Sequence, residues 1–420
     1  MDDVGMTLDD RMKKTVASCD PNREKYGGLS SRELWFWLST LESVGPVTVN
    51  RLLDILGSPE GIWETELSSL SRAAPDVINP GQEYQETPLV ELKPKQLEEI
   101  DRSKCNPKAI AAKLRALGED EISFIGRNEA DFPCKLRNLP DCPAGLFVKG
   151  KLPPPDMPLV AVVGARGCDE YGRQMAEYFG TEFARHGIGV ISGMAVGIDG
   201  ESQRAALMSG GYSMAVLGSG VDICYPRSNF NLYAQLVRDG GVVSEYLPGT
   251  IPRAFHFPMR NRLVSAFSDA VLVVEAREKS GSLITADHAL EQGRDVMAVP
   301  GRVGDLLSEG CNRLIRQGAA IVTCIEDVCE VLGVDLLASR SQGRLPVGEN
   351  AASDRSGEAL DESWQKILLT LSSSPSHIDS ISDKTGMAIP ELMHDLLIME
   401  MRGLVRQVGQ GQYVKQIFVR

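Results

Sequence analysis

The sequence has few cysteines, no long apolar run and no excess of basic charge. Its 420 residues include nine cysteines without a Cys-x-x-Cys pair, so neither a disulfide framework nor a structural zinc site is expected. The 44 basic and 57 acidic side chains give a net charge of −13, which argues against a generally basic nucleic-acid coat. No apolar run reaches the roughly 18 residues of a membrane span, and the first residues lack the order of a signal peptide. We therefore expect a cytoplasmic protein without membrane contact, metal ion or cofactor.

A chain of 420 residues is too long for one ordinary domain. Composition and apolar periodicity change at four places along it, which divides it into five segments. The predicted segments are a loose leader (1–28), a helical SAM-like or helix-hairpin-helix domain with a connector (29–105), an extended Rossmann-like domain (106–335), a linker (336–360) and a winged-helix domain (361–420).

In the N-terminal segment, two short amphipathic helices flank Gly45-Pro46. Hairpins that grip DNA phosphates usually have glycine at both ends of the turn, and Val47-Thr48 supplies none, so a spacer or interaction bundle is favoured over direct DNA contact. Residues 75–107 are rich in Pro, Glu, Gln and Lys, and they predict a connector or irregular insert.

From Leu159 onward, short apolar strands alternate with helices of ten to fifteen residues. This alternation predicts an α/β fold with a doubly wound parallel sheet covered on both faces. The predicted strands are Leu159 to Val163, Gly189 to Ser192, Ser213 to Leu217, Gly241 to Ser244, Ala270 to Val274, Asp295 to Val299 and Ala320 to Val322.

The last sixty residues predict three helices followed by two short strands, which is the pattern of a winged helix. The helices are expected around Trp364 to Leu371, from Ile378 to Thr385 and from Ile389 to Met401. Winged helices often bind DNA, but this one has seven acidic and six basic residues, so contact with a protein is as well supported as contact with DNA.

Glycine-bearing turns follow several predicted strands, where a doubly wound sheet binds its ligands. They include Gly164-Ala165-Arg166, Ser192-Gly193 and Gly218-Ser219-Gly220. Each could turn backbone N–H groups and a helix start toward an anion, although each could also be only a tight turn. None matches the G-x-G-x-x-G, Walker or G-x-S-x-G pattern, so a standard dinucleotide or ATP site and a nucleophile elbow are disfavoured.

Residues 253–316 supply cations for such an anion site. Arg260-Asn261-Arg262 is expected at the start of a helix, where an arginine fork would match phosphate, and Lys279 precedes a Ser-Gly-Ser turn. Asp199, Glu245 and Glu275 are the carboxylates on which a hydrolase would depend, whereas His186, His256 and His288 are interpreted as structural. The pattern predicts a binding pocket and assigns no catalytic residue.

The ordered motifs from about Phe132 to Asp327 resemble the DNA-processing protein A family (DprA, also called Smf), bacterial proteins of natural transformation. The resemblance implies a protein that is not an enzyme, that binds single-stranded DNA, forms a homodimer, protects incoming strands in competence and DNA recombination, and loads the RecA recombinase onto them. The motifs that carry it include Val163-Gly164-Ala165-Arg166, Ser192-Gly193-Met194, Tyr225-Pro226-Arg227-Ser228-Asn229, Phe257-Pro258, Arg260-Asn261-Arg262 and Lys279-Ser280-Gly281-Ser282. The family motifs and the glycine-bearing turns after the strands together predict the DNA-binding or phosphate-binding residues. These are Gly164, Arg166, Ser192, Gly193, Arg227, Asn229, Arg260, Asn261, Arg262, Lys279, Ser280, Gly281, Ser282 and Thr285.

Two positions depart from the family pattern. Val196 stands where relatives usually have lysine or arginine, and Ser202-Gln203 stands where they have a small residue and histidine. The alternative interpretation is a Rossmann-type phosphoribohydrolase of the lysine-decarboxylase-like kind, but Ser280 to Thr285 lacks the glutamate of the P-G-G-x-G-T-x-x-E motif. A third interpretation is a pure interaction scaffold, which would bind neither oligonucleotide nor nucleotide.

Overall fold

The computed structural model describes residues 26–66, 92–334, 361–372 and 374–417. The chain forms two compact units, one of Met1–Lys149 with Ser244–Pro248 and one of Gly150–Val243 with Gly249–Arg420. Most of the predicted leader and the whole predicted linker lie outside the described residues, and the predicted domain boundaries stay predictions. No helix within the described ranges is long and apolar enough to span a membrane.

The first unit contains helices around an aromatic core and one antiparallel strand pair. Phe36 packs edge-on against Phe124 and Phe147, with ring centroids 5.3 and 6.2 Å away. β1 pairs with β2 in antiparallel register. The elements are α1 (Ser31–Ser39), α2 (Pro46–Leu56), α3 (Pro59–Glu64), α4 (Pro94–Lys104), α5 (Pro107–Glu119), β1 (Ser123–Gly126), α6 (Cys134–Arg137) and β2 (Gly145–Gly150).

The interpretation of residues 75–107 as an irregular connector is wrong for its second half, because α4 occupies Pro94–Lys104. Pro94 is the first residue of this helix, where its missing N–H would have had no helical partner, so it starts the helix instead of breaking it. The carboxylate of Glu99 on α4 accepts hydrogen bonds from the N–H groups of Glu42 (2.7 Å) and Ser43 (2.8 Å), which precede α2. The N–H groups of this turn are therefore engaged within the chain.

The second unit contains seven parallel strands in the order β6-β5-β4-β3-β7-β8-β9. Every strand begins at its predicted residue and ends within one residue of its predicted end. The chain switches direction across the sheet between β3 and β7, the place where such sheets bind ligands. The strands are β3 (Leu159–Val163), β4 (Gly189–Ser192), β5 (Ser213–Val216), β6 (Gly241–Ser244), β7 (Ala270–Val273), β8 (Asp295–Ala298) and β9 (Ala320–Ile321).

Helices cover this sheet, and a core of buried Val, Ile, Phe and Met side chains lies between sheet and helices. α7 and α8 pack so closely that a Cβ at Gly180 would collide with the carbonyl oxygen of Ser202. The helices are α7 (Glu170–Arg185), α8 (Ile198–Met208), α9 (Phe230–Asp239), α10 (His256–Phe267), α11 (Gly281–Glu291), α12 (Glu309–Arg316) and α13 (Ile325–Leu332).

Residues 361–417 form the predicted winged helix, with its own core around Trp364, Leu392 and Leu396. Its sheet has the order β10-β12-β11, and β10 is a short strand that the sequence pattern did not predict. The elements are α14 (Glu362–Thr370), β10 (Ser376–His377), α15 (Ile378–Thr385), α16 (Ile389–Met401), β11 (Val405–Gly409) and β12 (Gln412–Lys415).

The β11–β12 hairpin contacts helix α7. Arg406 donates a hydrogen bond of 2.7 Å to Glu177 and one of 3.4 Å to Glu170. The side chain of Gln174, between these glutamates on α7, accepts from the N–H of Ile417 at 3.0 Å and donates to the carbonyl of Lys415 at 3.4 Å. The hydrogen bonds from Arg406 to Glu177 raise the pKa of the guanidinium. The hairpin is thus held on α7 by an ion pair and by hydrogen bonds to its backbone.

Candidate nucleic-acid interface

A pocket of about 590 Å³ lies at the carboxyl ends of β3 and β4, beside the switch between β3 and β7. The loop after β3, the loop after β4, helix α10 and the start of α11 all contribute to its wall. The lining residues are Val163, Gly164, Arg166, Gly193, Ala195, Asp199, Tyr225, Pro252, Ala254, Phe257, Pro258, Arg260, Asn261, Val264, Lys279, Ser280, Gly281, Ser282, Ile284 and Thr285.

The start of α11 gives the pocket a set of polar hydrogen-bonding groups. Ser280 caps the helix and accepts a hydrogen bond of 3.4 Å from the N–H of Ser282, and the two hydroxyl oxygens are 2.7 Å apart. The amide of Asn261 donates to the carbonyl of Gly281 at 3.2 Å, which ties α10 to α11. The N–H groups of a first helical turn favour an anion, so this end of the pocket suits phosphate.

Arg260 is the most buried cation of the pocket, with only 5% of its surface exposed. Its guanidinium donates to the carbonyl oxygens of Gly193 and Val216, and it occupies the space that a Cβ at Gly193 would need. Asp199 accepts from the N–H of Gly193 at 3.1 Å. Burial raises the pKa of Asp199, and the positive charge of Arg260 offsets part of this effect. These three residues therefore form one connected unit beneath the pocket.

Only one of the two predicted arginines, Arg260, lines the pocket. α10 begins at His256, earlier than predicted, so Arg260 and Arg262 lie in its second turn. Residues two apart on a helix point about 200° apart, and only Arg260 reaches the pocket while Arg262 is buried away from its wall.

An aromatic pair and an exposed arginine form the opposite wall. The rings of Tyr225 and Phe257 are stacked, with centroids 5.6 Å apart and an interplanar angle of 30°. The guanidinium carbon of Arg166 lies 5.5 Å from the centroid of Phe257, within the range of a cation–π contact. Tyr225 and Arg166 are exposed, as is Lys279 at the start of α11. The pocket thus combines exposed cations with an open aromatic surface.

Ten of the fourteen predicted site residues line this one pocket, and four do not. Ser192 is buried and donates to the carbonyl of Val162 at 2.6 Å. Asn229 is buried as well and donates to the carbonyls of Met194 and Ala195. Arg227 is exposed in a short 3₁₀ turn outside the lining, and Arg262 is the buried residue described above. The ten residues that line the pocket are Gly164, Arg166, Gly193, Arg260, Asn261, Lys279, Ser280, Gly281, Ser282 and Thr285.

The prediction of site residues missed the aromatic pair Tyr225 and Phe257. Both residues lie in motifs that carry the family resemblance, Tyr225-Pro226 and Phe257-Pro258, and both precede proline. That signal marked the positions, but nothing in the sequence indicated that the two rings stack on each other.

Gln203, at the position where the family resemblance implies histidine, has a structural role. Its carbonyl oxygen accepts from the N–H of Met194 at 3.1 Å, and its amide donates to Ser213 Oγ and to the carbonyl of Met214. Met194 has a φ of +55°, a conformation that costs energy for a residue other than glycine. Gln203 therefore helps to fix the loop after β4. Val196, the other departure, is 40% exposed and does not line the pocket.

A buried carboxyl group lies behind the loop that follows β3. Glu275 is 2% exposed, and its carboxylate accepts a hydrogen bond of 3.2 Å from the N–H of Asp169, the cap of α7. A Cβ at Gly172 would collide with this carboxyl, so glycine is required there. Burial, reinforced by a hydrogen bond and the charge of Asp169, raises the pKa of Glu275 to about 8. Burial therefore favours the protonated form of Glu275.

The parallel sheet, the pocket with basic side chains at its switch point and the appended winged helix define a Rossmann-like α/β protein with a second helical module. Its family models are "DNA recombination-mediator protein A", which matches residues 123–333, and "DprA winged helix domain", which matches residues 351–411. The chain belongs to the DNA recombination-mediator protein A family, the DprA/Smf proteins. The family resemblance and the α/β fold class predicted from the sequence are confirmed.

Individual relatives cover different shares of the chain. Protein Smf of Escherichia coli (strain K12) is 37% identical over 311 residues, which are 73% of this chain and 81% of that protein. The DNA processing protein DprA of Streptococcus pneumoniae is 44% identical over 197 residues, 47% of this chain and 70% of the relative. The X-ray structure of DNA processing protein A from Streptococcus pneumoniae superposes with a TM-score of 0.57 at 29% identity, covering 72% of this chain and 98% of that one.

Proposed function

We propose that the pocket binds single-stranded DNA and that the chain processes incoming DNA in natural transformation. The observation that carries this proposal is the convergence of Arg166, Lys279, the start of α11 and the Tyr225–Phe257 pair on one pocket. Cations and N–H donors suit backbone phosphates, and open aromatic rings suit unpaired bases. Membership of a family described as recombination mediators, with relatives named DNA processing proteins, supports the same function.

The size of the pocket favours single over double strands. A volume of about 590 Å³ is within the range of small-ligand sites. The pocket can therefore take nucleotides from only one strand at a time. In a duplex the faces of the bases are covered by their neighbours, so they are not available to Phe257 and Tyr225. The net charge of −13 fits a confined site, because the remaining surface has little attraction for duplex DNA.

Fluorescence anisotropy with labelled oligonucleotides tests the proposal. We expect nanomolar to micromolar affinity for a single strand, weaker affinity for the matching duplex, and a loss of affinity with rising salt. Arg166→Ala should reduce the affinity at least tenfold and lower the slope of log K against log salt by about 0.7, the contribution of one phosphate contact. Arg238→Ala, an exposed arginine of α9 outside the pocket, is the matched control. Equal binding by the two variants would contradict the pocket assignment.

We also propose that a homodimer in the cytoplasm protects the bound strand and passes it to the RecA recombinase. The description of the family as recombination mediators supports it. The test is RecA assembly on a strand covered by single-strand-binding protein. We expect the protein to shorten the lag before assembly and Arg166→Ala to restore the lag. A lag that the wild-type protein leaves unchanged would refute RecA loading but not strand binding.

We further propose that the pocket binds without catalysing a reaction. Asp199 lines the pocket, but its carboxylate is engaged by the N–H of Gly193 and neighbours Arg260, which suits a role in holding the loop. Incubation with nucleoside monophosphates distinguishes this from the phosphoribohydrolase alternative. Chromatography should detect no free base, and release of base that is lost in Asp199→Asn would establish the enzyme instead.

A further inference from the structure

Arginines in the second unit differ in whether a carboxylate lies beside them. By contrast with the helix arginines given below, no carboxylate of the described residues pairs with Arg277, Lys279 or Arg302, which are all exposed. These three cations follow strands β7 and β8, at the same edge of the sheet as the pocket, and their charge is available for an anionic ligand. The arginines on helices that do have an acidic neighbour, at 2.5 to 3.9 Å, are Arg173 with Glu170, Arg185 with Glu182, Arg204 with Glu201 and Arg238 with Asp239.

The loop that follows β8 is anchored at both ends. The side chain of Asn312 accepts a hydrogen bond from the N–H of Gly301 at 3.3 Å and donates one to its carbonyl at 3.1 Å. The carbonyl of Leu307 accepts a hydrogen bond of 2.8 Å from the N–H of Ala276, in the loop after β7. Residues 302–306, between these anchors, are all exposed, and we call them the β8 loop. Because the loop is fixed at both ends, less conformational freedom is lost when it binds a ligand.

The β8 loop lies beside the pocket. β7 and β8 are neighbouring parallel strands, so their carboxyl ends meet at one edge of the sheet. The loop after β7 carries Lys279 of the pocket wall, and the loop after β8 carries Arg302. The hydrogen bond between Ala276 and Leu307 joins these two loops directly. A strand whose phosphate lies at the start of α11 therefore meets further unpaired cations on the side of β8.

Two acidic side chains stand close in sequence to these cations. Glu278 has Arg313 at 4.0 Å, so part of its charge is offset. Asp305 is exposed within the β8 loop, and no cation of the described residues pairs with it. A phosphate beside the loop is attracted by Arg302 and repelled by Asp305, so the two residues provide opposite tests of the same site.

We propose that the β8 loop is a second contact site for the single strand, in which Arg302 and Arg277 bind backbone phosphates next to the nucleotides held in the pocket. The proposal rests on the proposed function, because the pocket supplies the strand. A guanidinium presents a planar set of N–H donors that matches two phosphate oxygens. Val303 and Leu306 are 98 and 61% exposed beside Arg302, and their aliphatic surfaces can pack on sugars and bases. The chain then covers more nucleotides than the pocket alone can hold.

Binding of oligothymidylates of two lengths to the full chain is the first test. One has about four nucleotides, which the pocket can hold, and the other about twelve, which also reach the β8 loop. Arg302→Ala should weaken binding of the longer oligonucleotide about fivefold and lower its slope of log K against log salt by about 0.7, the contribution of one phosphate. Binding of the shorter one, measured by competition, should not change. Arg302→Lys should keep most of the affinity, and Asp305→Asn should raise the affinity for the longer oligonucleotide.

Arg316→Ala is the matched control. Arg316 is exposed and ends α12, which runs from the β8 loop to the opposite edge of the sheet. Equal affinities of Arg302→Ala and Arg316→Ala for the longer oligonucleotide would overturn the second site and leave strand binding by the pocket intact. An equal loss with both oligonucleotides in Arg302→Ala would place this arginine at the pocket itself and would also overturn the second site. A wild-type chain that binds neither oligonucleotide would refute the proposed function of the pocket.

Photocross-linking locates the strand by a second measurement. Val303→Cys is labelled with an aryl azide after Cys19 and the exposed Cys105 and Cys134 have been replaced by serine. Because Val303 is 98% exposed, the label should leave the fold unchanged. We expect the labelled chain to cross-link to the longer oligonucleotide, and Met208→Cys, labelled at the exposed end of α8, to give only background. A cross-link from the β8 loop no stronger than this background would overturn the proposal.

Discussion

The guanidinium of Arg260 occupies the space in which a side chain at Gly193 would stand. Arg260 holds this position through hydrogen bonds to the carbonyl oxygens of Gly193 and Val216, at the ends of two neighbouring strands. The close approach therefore explains why the loop after β4 carries glycine at this position. It also means that the placement of a buried cation depends on a residue without a side chain.

Gly193→Ala should reduce binding of single-stranded DNA by about tenfold with little loss of stability. The new methyl group meets the far end of a flexible side chain, so Arg260 moves while the fold is retained. Anisotropy titration and urea unfolding measure the two effects. Gly281→Ala is the control, because a Cβ there meets no atom within 4 Å although Gly281 also lines the pocket. A loss of equal size in both variants would show that the position of Arg260 is not the cause.

Phe257→Ala should weaken single-strand binding by about 1 to 3 kcal/mol, the contribution of stacking one base. The variant removes the ring that stacks with Tyr225 and lies beside Arg166. Phe257→Tyr should keep most of the affinity. Phe255→Ala, which removes an exposed ring outside the lining, serves as the comparison. Unchanged affinity in Phe257→Ala would exclude base stacking at this wall.

Glu275→Gln should change how stability depends on pH. The pKa of Glu275 is raised from an ordinary 4.5 to about 8, so the folded chain binds the proton more tightly than the unfolded chain. Between these values the unfolded chain loses its proton first, and the free energy of unfolding falls as pH rises, by about 1.4 kcal/mol per pH unit at most. The free energy of unfolding of the variant should lack this decline. Measured by urea unfolding, the stability of the variant relative to the wild type should therefore rise from pH 5 to pH 8. Glu278 is exposed, so the free energy of unfolding of Glu278→Gln should depend on pH in the same way as that of the wild type. If Glu275→Gln also showed the wild-type dependence, burial of Glu275 would not be the cause of the decline.

Arg406 and Glu177 should be energetically coupled. Their side chains are 29% and 21% exposed and 2.7 Å apart, so a double-mutant cycle with alanine at both positions should give a coupling of about 1 kcal/mol. Hydrogen exchange in β11 and β12 should rise in Arg406→Ala, because the hairpin loses its contact with α7. The exposed pair Glu98 and Arg102 on α4 is the reference and should show no measurable coupling. Independent effects of the two substitutions at 406 and 177 would mean that the ion pair does not hold the hairpin.

The parallel sheet was predictable because its strands are continuous apolar runs bounded by glycine or polar residues, a pattern that burial on both faces requires. The starts of two helices that have a proline in their first turn were harder to predict. Pro94 was interpreted as part of a connector, and α10 was expected to start at Arg260-Asn261-Arg262, yet Pro94 and Pro258 both lie in first helical turns where no N–H partner is needed. A proline alone does not tell whether a helix ends before it or begins at it.

The pocket was predictable in its cations and turns but not in its aromatic wall. Arg166 and Lys279 follow strands whose carboxyl ends must meet at one edge of the sheet, so sequence position alone brings them together. Tyr225 and Phe257 lie on a loop and a helix, and their stacking depends on how α10 crosses the end of β5. Arg262 illustrates the converse, because it lies about 200° around α10 from Arg260, so only one of the two arginines can face the pocket.

The docking of the hairpin on α7 has a consequence for shortened versions of the protein. A chain that ends before residue 361 lacks Arg406, and it leaves Glu177 on α7 without the cation that pairs with it in the full chain, whereas Glu170 keeps Arg173 at 3.9 Å. α7 follows directly on the loop that carries Arg166, so the added negative charge lies on the helix next to the pocket. A truncated protein would therefore repel a polyanion more than the full chain does, even though every residue of its pocket is intact. Affinities measured on the Rossmann-like part alone should accordingly be lower than those of the whole protein, and the difference should shrink as salt rises.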